Sequence, residues 1–277
     1  METQTAATAL TAKDFKSDLK PVWCPGCGDF TVLSSMTKAL AELGLRTEDV
    51  AVVSGIGCSS RLPAYLNTYG FHGVHGRALP TAAGLKLSRP ELTVLATGGD
   101  GDGYSIGGNH FLHAARRNVD ITYVVMDNRV YGMTKGQPSP TTEPDWDSAL
   151  TPGGTGLSPF RPLVIALASG ANFVARCFSG DPNGTASVIA GAIKHPGFSF
   201  IEVMSPCVTF RDEQRGWKTA VRPSPVPWTT DRSQAARRLM TDDGFNIGVL
   251  FKGDRLPYQP KLAARMDAAD LEREFAL

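Results

Sequence analysis

Short apolar runs alternate with amphipathic stretches from about residue 29 to residue 204. Strands are predicted at 50–53, 92–96, 121–126, 173–178 and 198–204, because these runs have strand length and are rich in aliphatic and aromatic residues. Helices are predicted between them, at 29–43, 79–87, 105–117, 163–169 and 185–195. Because strand and helix alternate over short connections, the pattern predicts a doubly wound, mostly parallel α/β sheet.

Both ends of the chain depart from this pattern. Residues 1–11 are small and polar, and residues 1–20 predict a frayed N-terminal arm, which leaves 21–210 as the main domain. Residues 211–277 are polar and proline-rich and predict a C-terminal extension, with helices at 232–240 and 266–275. The stretch 136–162 has no clear period. A loop of that length inside a compact domain is usually functional or disordered.

Composition restricts the function classes. The 277 residues are 42% hydrophobic and 20% charged, as is ordinary for a globular protein, and the net charge of +1 predicts neither a nucleic-acid partner nor an acidic membrane partner. No apolar run approaches the roughly 18 to 20 residues of a membrane helix, and no secretory signal is recognisable, so we expect a cytoplasmic protein. Five cysteines without an export signal favour metal or redox chemistry over disulfides.

A Gly/Asp-rich loop follows one predicted strand directly. Residues 98–103 are Gly-Gly-Asp-Gly-Asp-Gly, and Asp127 and Asn128 follow the next strand. Right-handed crossovers bring both strand ends to one edge of the sheet. Asp100, Asn128 and the backbone carbonyl of Val130 are predicted oxygen ligands of Mg²⁺, beside a helix N-terminus that binds a diphosphate. The competing interpretation is a glycine-rich turn with a solvated Asp100.

Four cysteines lie at predicted loop positions. Cys24 and Cys27 belong to Trp-Cys-Pro-Gly-Cys-Gly at 23–28, while Cys58 and Cys207 each follow a predicted strand. The first pair suits half of a zinc ribbon, a dithiol redox pair, or two ligands of a 4Fe–4S cluster completed by the other two. A zinc ribbon needs a second Cys-x-x-Cys that the chain lacks, so four-cysteine zinc is the runner-up. Cys177 lies inside a strand and is predicted to be a buried apolar residue.

These residues resemble those of a known family, the β subunits of 2-oxoacid:ferredoxin oxidoreductases. The resemblance covers roughly residues 20–211 and rests on five motifs in order. They are Trp-Cys-Pro-Gly-Cys-Gly at 23–28, Gly-Ile-Gly-Cys-Ser at 55–59, His-Gly-Arg-Ala-Leu-Pro at 75–80, Gly-Asp-Gly-Asp at 99–102 and Tyr-Gly-Met-Thr-Lys-Gly-Gln at 131–137.

The resemblance implies a complete set of site residues. Cys24, Cys27, Cys58 and Cys207 would bind one 4Fe–4S cluster, and the Mg²⁺ ligands would hold thiamine diphosphate. The implied cofactor-binding residues are Gly99, Asp100, Gly101, Asp102, Asn128, Tyr131, Gly132, Met133 and Thr134. Segment 131–137 would lie beside the thiazolium and the substrate. The catalytic candidates are His75, for which a structural role competes, and Lys135, which suits the 2-oxoglutarate branch.

The implied activity is oxidative decarboxylation of a 2-oxoacid, chiefly 2-oxoglutarate, to its acyl-CoA with reduction of ferredoxin, or the reverse CO₂-fixing reaction. The implied partners are coenzyme A, ferredoxin, the 2-oxoacid and an α subunit. That subunit would supply the carboxylate that bonds the aminopyrimidine ring, because this chain has one α/β domain of the right kind. Two alternatives are half of a non-redox thiamine decarboxylase or synthase, and a zinc-bearing α/β scaffold subunit.

Overall fold

The computed structural model describes residues 9–260 together with 272, 273 and 276. The helices are α1 (Asp29–Glu42), α2 (Ala78–Ser88), α3 (Gly108–Arg117), α4 (Pro162–Ala168), α5 (Pro182–Lys194), α6 (Trp217–Ala220) and α7 (Arg232–Thr241). The strands are β1 (Val50–Ser54), β2 (Tyr69–His72), β3 (Thr93–Gly99), β4 (Thr122–Asp127), β5 (Phe173–Phe178), β6 (Ser199–Met204), β7 (Arg222–Pro223) and β8 (Asn246–Lys252).

The strands form one sheet in the order β2-β1-β3-β4-β6-β5-β8-β7. All neighbouring pairs are parallel except β5 and β8, which are antiparallel. The five strands expected from the apolar runs are β1, β3, β4, β5 and β6, and they occupy adjoining places in the sheet. The predicted doubly wound, mostly parallel α/β fold is therefore confirmed.

Helices cover both faces of the sheet. One apolar layer lies between the sheet and α2, α3, α4 and α7, and the other between the sheet and α1 and α5. Strand residues alternate between these layers, so that Ala51 and Val53 face the first and Val52 the second. Phe111 of α3 is fully buried with its ring centroid 4.7 Å from that of Phe200. Burial of one such side chain contributes roughly 1.5–3 kcal/mol.

Three strands were not expected from the sequence. The edge strand β2 is exposed at all four residues, and β7 and β8 extend the sheet beyond β5. The residues after 211 therefore pack on the main domain, with Phe251 of β8 buried against it. The helix predicted at 232–240 is α7, and the one predicted at 266–275 lies outside the described residues except for 272 and 273. The boundary at 210/211 stays a prediction.

The described part of the N-terminal arm, residues 9–20, is attached to the domain. Phe15 is completely buried, Lys16 forms a β-bridge with Leu66, and the Ser17 N–H donates to the carbonyl oxygen of Tyr65. The expectation of a frayed arm was wrong for these residues, because a single large aromatic in a polar segment provides the anchor. In the part of the chain that the structure covers, no helix is long and apolar enough to cross a membrane.

Candidate active site

Four neighbouring strands deliver the predicted site residues to one edge of the sheet. In the order β1-β3-β4-β6, Cys58 follows the first strand, Asp100 the second, Asn128 the third and Cys207 the fourth. These are carboxyl ends of parallel strands, where α/β sheets bind ligands. The prediction that both sites lie at one edge of the sheet is confirmed by the strand order.

Two carboxylates are buried side by side at this edge. Asp100 and Asp127 are 2% and 4% exposed, and the hydroxyl oxygen of Thr141 lies 3.0 Å from Asp100 Oδ2 and 2.8 Å from Asp127 Oδ1. Burial raises the pKa of Asp100. Burial also raises the pKa of Asp127 well above its usual range, and the charge of Asp100 raises it further. Among the described residues Asp100 has no ion-pair partner, so a bound cation would relieve this charge.

The other two predicted magnesium ligands fit such a cation. Asn128 Oδ1 accepts the Val130 N–H at 3.0 Å, which fixes the amide and leaves its oxygen a second lone pair. Within the described residues no donor is found for the Val130 carbonyl oxygen. A buried carboxylate, an amide oxygen and an unpaired carbonyl form the hard oxygen set that Mg²⁺ takes, with the remaining places left for waters and phosphate. The residues present therefore fit the predicted ion.

A π-helical turn, Gly101–Ile106, begins directly after Asp100 and continues into α3. The helix was predicted to start at residue 105, and the helical turn begins four residues earlier. π-Helical turns are often found at functional sites, and the first N–H groups of a helix bind anions. A Cβ atom at Gly101 would lie 2.1 Å from Cε1 of Tyr131, whose hydroxyl donates to the Gly101 carbonyl at 3.1 Å. Glycine is therefore required where the chain passes under the Tyr131 ring.

Asp102 holds His75 rather than facing Asp100. Its Oδ1 atom accepts the N–H groups of Ile56 at 2.9 Å and Gly76 at 2.7 Å, and lies 2.7 Å from Nδ1 of His75. A carboxylate only accepts hydrogen bonds, so Nδ1 donates to Asp102, and no described residue bonds Nε2. The His75 side chain is 40% exposed, so it is accessible at the edge. Contact of Asp102 with the cofactor and catalysis by His75 stay predictions.

Segment 131–137 forms a closed loop over the edge. The Tyr131 N–H donates to the Gln137 carbonyl and the Gly136 N–H to the Tyr131 carbonyl, both at 2.9 Å. Lys135 has a φ of 71°, a strained value for a residue with a side chain, and strain of this kind is frequent in ligand-binding loops. Met133, Thr134 and Lys135 are exposed. Their predicted contacts with cofactor and substrate therefore need a bound molecule or a second subunit beside the loop.

The four cysteines come together on the neighbouring part of the edge. Residues 24–27, the cysteine turn, are closed by the Cys27 N–H donating to the Cys24 carbonyl at 3.0 Å, with Gly26 at a φ of 86°. The Trp23 indole N–H donates to the Cys58 carbonyl at 2.7 Å and connects the cysteine turn to the loop that follows β1. The Gly28 N–H donates to the Pro206 carbonyl at 3.2 Å and connects the cysteine turn to the loop that follows β6.

All four predicted cluster ligands line one cavity, which Asn128 and Gly132 also line. A Cβ atom on Gly132 would lie 3.7 Å from the sulfur of Cys58 and 3.9 Å from that of Cys207, so both sulfurs converge on it. Burial raises the pKa of Cys58 to about 11 and that of Cys27 still further, with the charge of Asp29 adding to both. Thiolates here need a positive partner such as iron, so the residues fit a cluster.

Two neighbouring facts concern metals and the fifth cysteine. Within the residues described, no three His, Cys, Asp or Glu side chains stand close enough together to hold a single metal ion. Cys177 is 3% exposed inside β5, as predicted, and burial raises the pKa of its thiol to about 12.

Sequence reasoning missed three residues of the site. Thr141 lies between the two buried carboxylates, Ser59 Oγ lies 3.0 Å from where a Cβ on Gly99 would stand, and buried Asp29 is beside Cys27. Thr141 falls in the aperiodic loop, which carries no positional signal. Asp29 follows the Cys-Gly pair directly, and its place at the start of α1 was the one available signal.

Comparison with known proteins defines the class. Residues 55–203 match the family model of the thiamine pyrophosphate enzyme C-terminal TPP-binding domain. The matched range begins directly after β1 and contains the strands β2 to β5, β6 except its last residue, and the Gly/Asp loop. The chain therefore carries a thiamine-diphosphate-binding domain, and that part of the cofactor prediction is confirmed. The magnesium ion and the cluster stay predictions.

The chain belongs to the family of 2-oxoacid:ferredoxin oxidoreductase β subunits. It is 41% identical over 279 aligned residues to subunit beta of 2-oxoacid:ferredoxin oxidoreductase 1 from Aeropyrum pernix, which covers 95% of this chain and 88% of that one. It is 49% identical over 200 residues to the 2-oxoglutarate oxidoreductase subunit KorB of Mycobacterium tuberculosis, covering 72% of this chain and 54% of the relative's length.

A solved structure extends the likeness to the whole fold. The 2-oxoglutarate:ferredoxin oxidoreductase from Magnetococcus marinus, with 2-oxoglutarate, coenzyme A and succinyl-CoA bound, superposes with a TM-score of 0.87 at 40% identity. The superposition covers 96% of this chain and 91% of the other. The predicted family and fold are confirmed, and the chain is a subunit of an oxidoreductase.

Proposed function

We propose that this chain is the β subunit of an enzyme that oxidatively decarboxylates 2-oxoglutarate to its acyl-CoA and passes the electrons to ferredoxin. The reverse, CO₂-fixing reaction uses the same groups. The choice of 2-oxoglutarate is supported by the names of the relatives from M. tuberculosis and M. marinus. The identity of Lys135 in Thr-Lys-Gly-Gln supports it independently.

One observation carries the proposal. Asn128, a predicted magnesium ligand, also lines the cavity of the four cysteines, together with Gly132 and Met133 of the closed loop. Under this proposal Asn128 belongs both to the magnesium–diphosphate site and to the wall of the cysteine cavity. Non-redox thiamine enzymes have no need for four cysteines in this place, and a zinc scaffold has no need for Asp100 beside Asn128.

The chemistry of the residues at the sheet edge supports a role for each group. Thiamine diphosphate, when bound, supplies the nucleophilic carbon and the electron sink for decarboxylation. Asp100, Asn128 and the Val130 carbonyl bind Mg²⁺, and the N–H groups of the turn from Gly101 bind the diphosphate. Cys24, Cys27, Cys58 and Cys207 would hold a 4Fe–4S cluster, which would supply an electron acceptor at this edge.

Two side chains at the edge are assigned to substrate and proton chemistry. His75, fixed by Asp102 with its Nε2 free, accepts a proton or a hydrogen bond from a reacting group. Lys135 is exposed on the closed loop and binds an anion, either the substrate carboxylate or a phosphate of coenzyme A. A partner α subunit supplies the carboxylate for the aminopyrimidine ring, because such a site needs a second domain facing this edge.

The test is co-expression with the partner subunit under anaerobic conditions. We expect brown protein with bound iron and acid-labile sulfide, and 2-oxoglutarate-dependent reduction of a viologen dye in the presence of coenzyme A. Four variants, Cys24→Ser, Cys27→Ser, Cys58→Ser and Cys207→Ser, should each lower bound iron and abolish ferredoxin reduction.

Cys177→Ser is the matched control and should keep its iron. Full iron content in Cys207→Ser, or iron loss in Cys177→Ser, contradicts the assignment of cluster ligands. Faster turnover of another 2-oxoacid contradicts the assignment of substrate.

A further inference from the structure

The described residues that line the cavities around the cysteine turn include cations and no carboxylates. Three neighbouring cavities open there. The groove beside the N-terminal arm is lined by Lys16 and Lys20, the cysteine cavity by Arg61, and the cavity on the other side of the turn by Arg215 and Lys218. No aspartate or glutamate among the described residues lines any of the three. We call these five residues together the cationic surface.

Most of these charges are not neutralised within the chain. Four of them are exposed and form no ion pair with a described residue: Lys16, Lys20, Arg61 and Lys218. Arg215 pairs with Asp212 at 2.5 Å. Asp18 lies between the two lysines in sequence but does not line the groove. The whole chain has a net charge of only +1, so the positive charge is concentrated at this surface.

Apolar side chains are exposed between the charges. Leu19 is 57% exposed, Val22 64% and Phe30 38%, and Cys24 is exposed beside them whereas the other three predicted ligands are partly buried. The redox site of the proposed function would therefore reach the protein surface at Cys24. An apolar centre with a charged rim is the composition of small, transient interfaces, and electron-transfer encounters are at the small end of interface sizes.

We propose that the cationic surface is the docking site of a small acidic electron-carrier protein. This rests on the proposed function, because the carrier must collect electrons from the site of the four cysteines. A reduced cluster held by the four cysteines would give one electron to the oxidised carrier in each encounter, and no bond would form or break. Opposite charges steer the encounter and orient the carrier toward Cys24, while the weak apolar contact lets it leave after reduction.

Charge reversal tests the docking site. The test variant is Lys16→Glu with Lys20→Glu, in the co-expressed enzyme. The control is Lys194→Glu with Arg237→Glu, which changes the charge equally. Lys194 lies at the opposite edge of the sheet, and Arg237 lies on α7, across the sheet from α1. Steady-state reduction of a small acidic ferredoxin is compared with reduction of methyl viologen, and the dissociation constant for ferredoxin is measured by calorimetry.

We expect the test variant to raise both the KM and the dissociation constant for ferredoxin by about tenfold or more at low salt. The difference from wild type should shrink near 1 M salt, where the screening length is about 3 Å. Iron content, subunit pairing and viologen reduction should be retained, and the control should match wild type throughout.

Three results would overturn the proposal. An unchanged KM and dissociation constant in the test variant would place the carrier elsewhere. Loss of the partner subunit from the test variant would assign the surface to the subunit interface. Equally weak ferredoxin binding in the control would show that the effect comes from net charge alone. A wild-type enzyme without iron and without viologen reduction is a different failure, because it removes the proposed function itself.

Discussion

Replacement of Gly101 by alanine is the sharpest test of the cofactor site. The new Cβ atom would lie 2.1 Å from Cε1 and 2.6 Å from Cδ1 of Tyr131. Carbon atoms pack best at about 3.5–4.0 Å, so the ring has to retreat by roughly 1.4 Å. The ring is not free to do so, because the Tyr131 hydroxyl binds the Gly101 carbonyl and its N–H binds the Gln137 carbonyl. The closed loop therefore has to move with it.

The size of the effect follows from packing. Overpacking by one methyl group in a rigid place costs about 1–3 kcal/mol. At about 1.4 kcal/mol per factor of ten, this corresponds to a roughly 5- to 140-fold loss of thiamine diphosphate affinity if binding restores the native loop. Alanine is otherwise the better helix former, so the local propensity of the turn does not explain a loss.

Calorimetric titration of the co-expressed enzyme with thiamine diphosphate and Mg²⁺ measures this loss. Gly108→Ala is the control, because a Cβ atom there meets nothing within 4 Å. In a Tyr131→Ala background the Gly101→Ala change should have little further effect, since the clashing ring is gone. An affinity within twofold of wild type for Gly101→Ala, or an equal loss in both backgrounds, would refute the reasoning.

Four further outcomes are expected. Asp100→Asn should weaken thiamine diphosphate binding severely in calorimetry while bound iron stays at the wild-type level; equal affinity would remove Asp100 from the magnesium site. Lys135→Met should raise the KM for 2-oxoglutarate or coenzyme A, and unchanged values for both would make Lys135 a solvated loop residue. Burial raises the pKa of Glu143, but the charges of Arg211 and Arg129 outweigh burial and leave the pKa below its ordinary value of 4.5. Its stabilising effect is therefore present above pH 4.5 and is lost as the pH falls through the lower folded-state pKa. Glu143→Gln should lower the free energy of unfolding by about 1 kcal/mol in denaturant titrations at neutral pH and by almost nothing in acid. A cost that does not depend on pH would contradict the ion pairing of Glu143 with the two arginines. The chain purified without its partner should show little viologen reduction with 2-oxoglutarate, and turnover equal to that of the pair would show that one chain holds the whole site.

The central sheet was predictable because its strands are buried on both faces. Strands of this kind appear as continuous apolar runs, as in β4, where all six residues are buried. The predicted ligands then followed from topology, since parallel strands end at one edge. The edge strand β2 has no buried residue and β8 is mostly half-buried, so neither has the composition of a core strand.

Contacts of side chains within the site were less predictable. Thr141 meets Asp100 across 41 positions of sequence, in a loop without any period that could place it. Asp102 is two residues from Asp100 in a motif that suggested a shared role, yet its carboxylate faces Ile56, His75 and Gly76. The π-helical turn rotates successive side chains to different partners, and no spacing rule for a regular α-helix anticipates it.

The antiparallel pairing of β8 with β5 has a consequence for biosynthesis. The chain emerges from the ribosome N-terminus first, and β8 ends at Lys252, 74 residues after β5 ends at Phe178. At about 5–20 residues per second, translation of that interval takes roughly 4–15 s. Until then the backbone groups along one edge of β5 have no strand to pair with, and side chains that are buried in the folded protein, such as Phe173, lie on its face. Slow codons between these two strands would prolong that exposure, so the last described strand sets how long the nascent sheet is open to mispairing.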